Sequence, residues 1–170
     1  EESVRVTLII EFPSDFHPST GETDELVSLT DVWPTLMDYL QINKNGKTDG
    51  VSLMPLLNGK ALNRKRVFIQ YDGNAAYASN QRCVVEGNYK MMMDTFKDEI
   101  FLELYDVIKD PEETTNLAPD PAHEALTRKL IGEIKKYMLD THDLLKFPED
   151  VYGHFISNYA TLSQKAGAEN

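Results

Sequence analysis

Residues 82–92 read RCVVEGNYKMM, and this stretch decides how the second half of the chain is expected to fold. Two apolar runs, at 82–86 and 89–93, flank a short link centred on Gly87. A glycine in such a link is typical of a tight β-hairpin, because glycine readily adopts the positive φ that these turns need. The stretch therefore predicts two adjacent antiparallel strands.

The neighbouring segments extend this hairpin into a small sheet with a helix across it. VFIQY at 67–71 and FLELYD at 101–106 have the β-branched, aromatic and alternating apolar residues of strands. From His123 to about Leu139, apolar residues recur at helical spacing. We predict a four-stranded antiparallel sheet covered by this helix, and a weaker tail from Asp140 with a frayed polar end.

The first part of the chain has a different pattern. RVTLIIEF at 5–12 is a nearly continuous apolar run, which favours a strand covered on both faces, as in a parallel sheet flanked by helices. A helix is expected further on, with Asp31 as its cap, Pro34 in its first turn and Leu36 buried on its apolar face. The basic sequence NRKR at 63–66 is interpreted as a solvated connector.

Together these patterns divide the chain into two parts. Residues 1–60 are predicted to be the closing strand and helix of a larger α/β domain, and residues 61–170 the antiparallel sheet with its helix. The fold class is therefore α/β, or α+β for this piece taken alone. A doubly covered strand needs several parallel neighbours, so we expect the parent chain to continue upstream.

Charge and cysteine content exclude several classes of function. Lys and Arg total 17 against 28 Asp and Glu, which gives a formal net charge of −11. So acidic a chain is not expected to bind nucleic acid or an anionic membrane surface, and no apolar run is long enough to span a bilayer. The single cysteine, Cys83, cannot form an internal disulfide and is expected to be buried.

Motifs that would carry chemistry are missing from the sequence. It contains no GxGxxG, P-loop, HExxH or GxSxG pattern. His142 and Asp143 are adjacent, but neighbouring side chains on a helix point apart, so we interpret them as a solvated helix end. The acid-rich segments 94–99 and 110–113 are interpreted as hydrated loops.

Several spaced segments resemble one family when they are taken in order. VSLTDVWPTLMDYLQI at 27–42 and DGVSLMPLLNG at 49–59 precede the hairpin at 82–92, and ELYDVIKDPEETTNLA at 103–118 follows it. This order resembles the C-terminal portion of sulfatases of the alkaline-phosphatase-like superfamily, over roughly residues 1–140. Those proteins carry D-x-x-P-T-L, G-x-S-L-x-P-L-L, G-x-Y-K and E-L-Y-D-x-x-x-D-P-x-E-x-x-N-L-A blocks in the same order.

The resemblance implies a parent that hydrolyses sulfate esters. Such enzymes use a formylglycine made from Cys or Ser in a C/S-x-P-x-R motif, and a divalent cation, usually calcium, held by Asp and Asn. Cys83 is followed by neither Pro nor Arg at the required positions, and Pro55 comes one residue too late after Ser52. The chain itself is therefore expected to lack the nucleophile and the cation ligands, and to hold no cofactor.

For this chain the resemblance implies a place at the rim of the substrate cleft. Arg82, at the end of the loop 71–82, could bind a sulfate or a carboxylate through two N–H groups. The alternative, that Arg82 is a surface strand residue paired with a loop acid, stays open. The candidate rim residues are Tyr71, Asp72, Asn74, Tyr77 and Arg82.

The expected partners follow from the same resemblance. They are the N-terminal catalytic part of the parent and, for that parent, a sulfated small molecule or carbohydrate. A periplasmic or secreted parent is implied, with its export signal upstream. Two other functions remain open: a phosphate or phosphonate ester hydrolase of the same superfamily, and a non-catalytic interaction module. Without neighbours for 5–12, the isolated fragment is expected to form a homodimer.

Overall fold

The structure is a computed structural model in which two compact units are distinguished, one spanning Glu2–Val67 and the other Phe68–Asn170. None of the helices in the part of the chain that it describes is both long enough and apolar enough to cross a membrane. The described residues are 4–18, 22–43, 46–73, 79–97 and 99–168.

A four-stranded sheet organises the second unit, as the sequence predicts. The strands lie in the order β1-β2-β3-β4, and β2 pairs antiparallel with β3, as does β3 with β4. Gly87 has a φ of 57° and closes the β2–β3 hairpin. The strands are β1, Arg66–Tyr71; β2, Ser79–Glu86; β3, Tyr89–Phe96; and β4, Glu99–Asp106.

The numbering of the helices follows the chain. The first unit contains α1, Val32–Tyr39, and α2, Met54–Leu57; the second contains α3, Glu124–Asp140, and α4, Val151–Ala168. Helix α3 contacts β2 and β3, which confirms the predicted covering helix, and α4 contacts β4. The core between sheet and helices consists mainly of Val84, Met91, Met93, Leu102, Leu104, Leu130, Ile134, Met138, Val151, Tyr152 and Phe155.

The prediction of a weak tail from Asp140 is wrong, whereas the frayed polar end stays a prediction. Helix α4 occupies this part of the chain, and Val151, Tyr152 and Phe155 on its first turns are buried in the core. The backbone N–H of Gly153 donates to Asp150 Oδ1 at 3.2 Å, which satisfies one free donor of the first turn. Val151, Tyr152, Phe155, Ile156 and Tyr159 recur at helical spacing, so the sequence does carry a signal for this helix.

Two side chains shape the turn-rich segment after β4. The carboxylate of Asp110 accepts the backbone N–H groups of Thr114 and Thr115 at 3.1 and 2.8 Å. Asn116 completes the edge of β4, because its Oδ1 accepts the N–H of Leu104 and its Nδ2 donates to the carbonyl of Leu102. These bonds return the chain from the sheet towards α3.

The predicted strand at 5–12 does not form in this chain. Residues 5–12 are not in a strand, and the side chain of Ile9 is 85% exposed. A lone extended segment cannot satisfy its backbone N–H and C=O groups without neighbouring strands, and no strand is found among the described residues before Arg66. Aromatic contacts hold the end of the segment instead. The ring centroids of Phe12 and of the nearby Phe16 lie 5.1 and 5.2 Å from that of Tyr39.

Helix α1 forms where it is predicted, but its start and its buried face differ. A 3-10 turn at Leu29–Asp31 precedes it, capped by Ser28 rather than by Asp31. Asp31 instead accepts the N–H of Ser28 at 2.7 Å. Pro34 and Thr35 are the buried residues of α1, whereas Leu36, predicted to be buried, is exposed.

The basic sequence at 63–66 is not wholly solvated. The guanidinium of Arg64 is largely buried and binds both carboxylate oxygens of Asp31, with N···O distances of 2.6 Å. Asp31 is fully buried, which explains why it needs a cationic partner. The connector is therefore part of the internal framework of the first unit.

Candidate functional site

Arg82 is the centre of a buried polar cluster in the second unit. It lies on β2 and is only 2% exposed. Its Nε donates to Asp143 Oδ2 at 2.6 Å, and its Nη2 donates to Asp143 Oδ1 at 2.9 Å. This is the two-point geometry in which a guanidinium binds a carboxylate most strongly.

The remaining donors of Arg82 also have acceptors. Nη1 donates to the carbonyls of Tyr71 and Gln81, at 3.2 and 2.9 Å. Nη2 forms a second ion pair, with Asp72 Oδ1 at 2.7 Å. Since a guanidinium has five N–H groups, all of them are used within the chain.

The two carboxylates differ in their environment. The side chain of Asp143 is 2% exposed, whereas that of Asp72 is 51% exposed and also accepts a hydrogen bond from Gln70 at 2.6 Å. The hydrogen bond from Arg82 holds the pKa of Asp143 below its ordinary value. Burial alone would lower the pKa of Arg82, but its bonds to Asp143 and then Asp72 raise it.

The predicted rim residues are brought together only in part. Tyr71, Asp72 and Arg82 meet at the end of β1, where Tyr71 contributes its carbonyl and leaves its side chain exposed. Asn74 and Tyr77 lie outside the described residues. Arg82 does pair with a loop acid, but it is not a surface residue. That these residues contact a substrate stays a prediction.

Asp143 is a member of this cluster that sequence reasoning missed. The sequence predicts a solvated helix end at this position, but the carboxylate of Asp143 is buried against Arg82. His142, with a φ of 54°, turns the chain back immediately after α3 and so allows this contact. The two partners are 61 residues apart, and no local pattern in the sequence links them.

A second set of charged groups corrects the interpretation of the acidic loops. Asp94 lies within β3, and Glu113 pairs with Lys90, which is buried. Burial raises the pKa of Asp94, and burial together with repulsion from Asp94 and Glu113 raises the pKa of Glu103. These acids are therefore part of the packed structure rather than hydrated surface.

The residues present do not fit a calcium or formylglycine site. In the described ranges, no three His, Cys, Asp or Glu side chains are arranged to hold a metal ion. Cys83 is buried in β2 and lies outside any C-x-P-x-R pattern. The Arg82 cluster holds a cation between two carboxylates and two carbonyls, and it contains no Ser, Thr or Cys side chain that could act as a nucleophile.

Comparison with known proteins identifies the family. Residues 1–140 match the family described as N-sulphoglucosamine sulphohydrolase, C-terminal. A choline-sulfatase of Rhizobium meliloti is 36% identical over 124 residues, which cover 71% of this chain and 23% of that protein. The human N-sulphoglucosamine sulphohydrolase is 27% identical over 177 residues, covering 75% of this chain and 35% of that protein.

Solved structures show the same likeness. A 2-O GAG sulfatase is similar with a TM-score of 0.60 and 28% identity, over 71% of this chain and 27% of that one. A phosphonate monoester hydrolase of Agrobacterium radiobacter shares the fold, with a TM-score of 0.61 and 23% identity over 69% of this chain and 26% of that one. The chain spans between 23% and 63% of the length of the curated relatives it matches. It belongs to the family of C-terminal domains typified by N-sulphoglucosamine sulphohydrolase, and so to the sulfatases of the alkaline-phosphatase-like superfamily.

Proposed function

We propose that this chain is the C-terminal scaffold and cleft rim of a sulfuric ester hydrolase. The observation that carries the proposal is the family match over residues 1–140. In this proposal residues 1–60 close the larger catalytic domain and residues 61–170 form the rim subdomain. The nucleophile and the metal ligands are supplied by the N-terminal part of the same parent.

The exposed side chains of the first unit support a missing partner. Among the described residues of that unit, nine large apolar side chains are each 37% or more exposed. Isolated exposed apolar residues are ordinary, but this many in so short a unit favour a surface that is covered in the complete protein. They are Val6, Ile9, Val27, Leu29, Trp33, Leu36, Leu40, Ile42 and Val51.

For the parent we propose a sulfated small molecule or carbohydrate as substrate, with formylglycine and Ca²⁺ in the N-terminal part. The human relative is named for a sulphated glucosamine, and the choline-sulfatase for a small sulfate ester. This chain would contribute substrate contacts through the rim residues Tyr71, Asp72, Asn74, Tyr77 and Arg82. We also propose that the parent is periplasmic or secreted, which cell fractionation with an antibody to this chain would test.

The test of the proposed function is turnover by the longer parent protein. We expect the parent to release sulfate from 4-nitrophenyl sulfate or from sulfated sugars, to lose this activity with a chelator, and to regain it with Ca²⁺. The 170-residue chain, assayed at the same concentration, is the matched control and is expected to be inactive. A parent that hydrolyses no sulfate ester would contradict the proposal.

A phosphonate or phosphate ester hydrolase is the second candidate. The fold shared with the phosphonate monoester hydrolase favours it. The same assay distinguishes the two, because a parent of this kind would cleave 4-nitrophenyl phenylphosphonate or a phosphate ester faster than the sulfate. If the parent cleaves none of these esters, the exposed apolar side chains favour the remaining reading, a non-catalytic interaction module.

A further inference from the structure

The charges around Arg82 do not balance. Asp143, bound at two points and buried, is sufficient to neutralise the guanidinium. Asp72 adds a second carboxylate, so that the three groups together carry one net negative charge. The second carboxylate is therefore not needed to neutralise the cation.

The bond to Asp72 is also the least constrained of the contacts of Arg82. Asp143 and the carbonyls of Tyr71 and Gln81 fix the plane of the guanidinium from within the fold. Asp72 is half exposed and follows the last residue of β1, and Gly73 after it has a φ of 58°. If Asp72 turns towards water it gives up its bond to Arg82 and its exposed hydrogen bond from Gln70, and water can replace both; the contacts of Arg82 with Asp143, Tyr71 and Gln81 do not involve this side chain.

Replacing the Asp72 carboxylate by an external anion at Nη2 of Arg82 leaves the charge beside the guanidinium unchanged. A sulfate half-ester or a carboxylate carries one negative charge and presents oxygens that a guanidinium N–H binds. If such a group takes the place of Asp72 at Nη2, the charge beside Arg82 is unchanged and Asp143 keeps the guanidinium oriented. The Asp72 carboxylate then occupies the position that an external anion would take.

We infer that Arg82 is the recognition group of a binding site for a singly charged oxyanion, and that Asp72 is its internal competitor. The site binds a sulfate half-ester or a carboxylate. Its affinity for that anion depends on how readily the bond between Asp72 and Nη2 of Arg82 breaks. The relevance of this site to a substrate rests on the proposed rim function. The existence of the site does not depend on the proposed rim function, because anion binding can be measured on this chain alone.

The experiment uses the 170-residue chain and the Arg82 Nε–H signal in ¹H–¹⁵N NMR spectra, assigned through its own backbone. Methyl sulfate is titrated against sodium chloride at equal ionic strength, with acetate as a second probe. The wild-type signal is expected to shift and to reach saturation with methyl sulfate or with acetate. The probe that causes the shift shows whether the site binds a sulfate half-ester or a carboxylate. The affinity should rise about tenfold or more in Asp72→Ala, because a charge-assisted competitor is removed.

Two controls make the outcome decisive. Asp140→Asn removes one charge from an exposed position of the same unit and should leave the affinity unchanged. Asp72→Asn keeps a neutral oxygen near Nη2 and should fall between the wild type and Asp72→Ala. The inference would be overturned if, in Asp72→Ala, the Arg82 signal shifted no more with methyl sulfate or acetate than with chloride. It would also be overturned if the wild type and Asp72→Ala bound the probes with equal affinity. A chain that binds methyl sulfate as expected, in a parent without sulfatase activity, would refute only the proposed function.

Discussion

Asp31 and Arg64 are 33 residues apart in the sequence and form a two-point ion pair with both N···O distances at 2.6 Å. The carboxylate of Asp31 is fully buried and also accepts the backbone N–H groups of Ser28 and Val51, at 2.7 and 2.9 Å. One side chain thus connects the turn before α1, the loop before α2 and the connector that leads to β1. The first unit depends on this polar framework.

Arg64→Met is expected to destabilise the first unit by about 3 kcal/mol, because it leaves the buried charge of Asp31 without a partner. Urea unfolding followed by the fluorescence of Trp33, the single tryptophan, measures this. Lys65→Met removes a neighbouring exposed lysine and should change stability by less than about 0.5 kcal/mol. Equal effects of the two substitutions would contradict the framework role of Asp31 and Arg64.

Asp143→Asn is expected to cost about 3 kcal/mol at pH 7 and progressively less in acid. The pKa of Asp143 is lower in the folded chain than in the unfolded one. Its stabilising contribution is therefore complete above the unfolded pKa of about 3.9 and is lost as the pH falls through the folded pKa. Thermal melts from pH 7 to pH 3 measure the difference between variant and wild type, and a difference that does not narrow in acid would refute this assignment.

Glu103→Gln is expected to stabilise the chain slightly at neutral pH, by no more than about 0.5 kcal/mol, because water screens the charge of this partly exposed carboxyl group. The pKa of Glu103 is raised by burial and by the charges of Asp94 and Glu113. Ionising it therefore opposes folding above the folded pKa, and this cost is absent below the unfolded pKa. Melts of Glu103→Gln and of the exposed control Glu99→Gln at pH 7 and pH 4 test the sign; a loss of stability at pH 7 would count against it.

Phe155→Ala is expected to lower the free energy of unfolding by about 3 kcal/mol, because the ring of this α4 residue is buried in the core. Ser157→Ala, at an exposed position of the same helix, should change it by less than about 0.5 kcal/mol. Chemical unfolding followed by circular dichroism compares the two. If both variants were as stable as the wild type, α4 would not belong to the core.

The isolated chain is expected to self-associate through the exposed apolar side chains of its first unit, in line with the predicted homodimer. Leu29→Lys combined with Leu40→Lys should shift the equilibrium to monomer, because both positions are exposed and charge opposes their burial. Sedimentation velocity over micromolar concentrations measures this. Leu144→Lys, at an exposed position of the second unit, serves as control, and a wild-type chain that is monomeric throughout would disprove the expectation.

The sheet could be predicted because its signals are local. Alternating apolar residues and the glycine of the β2–β3 hairpin act within a few residues, and the strands form where these signals lie. Residues 5–12 show the limit of that reasoning. Their apolar run is typical of a strand, but a strand also needs neighbours, and those are not encoded in the run itself.

The candidate site could be predicted only in part, for a physical reason. Tyr71, Asp72 and Arg82 are close in the sequence and flank one loop, so the sequence alone is enough to group them. Asp143 reaches Arg82 because α3 packs across the sheet and the chain then turns at His142. Such a contact follows from the fold and not from spacing, as does the pairing of Asp31 with Arg64.

The family match ends at residue 140, whereas the core of the second unit continues to Phe155. A chain shortened to the matched region would keep every motif by which the family is recognised, yet it would lose Val151, Tyr152 and Phe155 from its interior. It would also lose Asp143, and with it the partner that orients Arg82. The residues that reveal the ancestry of this unit and the residues that allow it to fold therefore overlap only in part, and a boundary drawn from the first set cuts through the second.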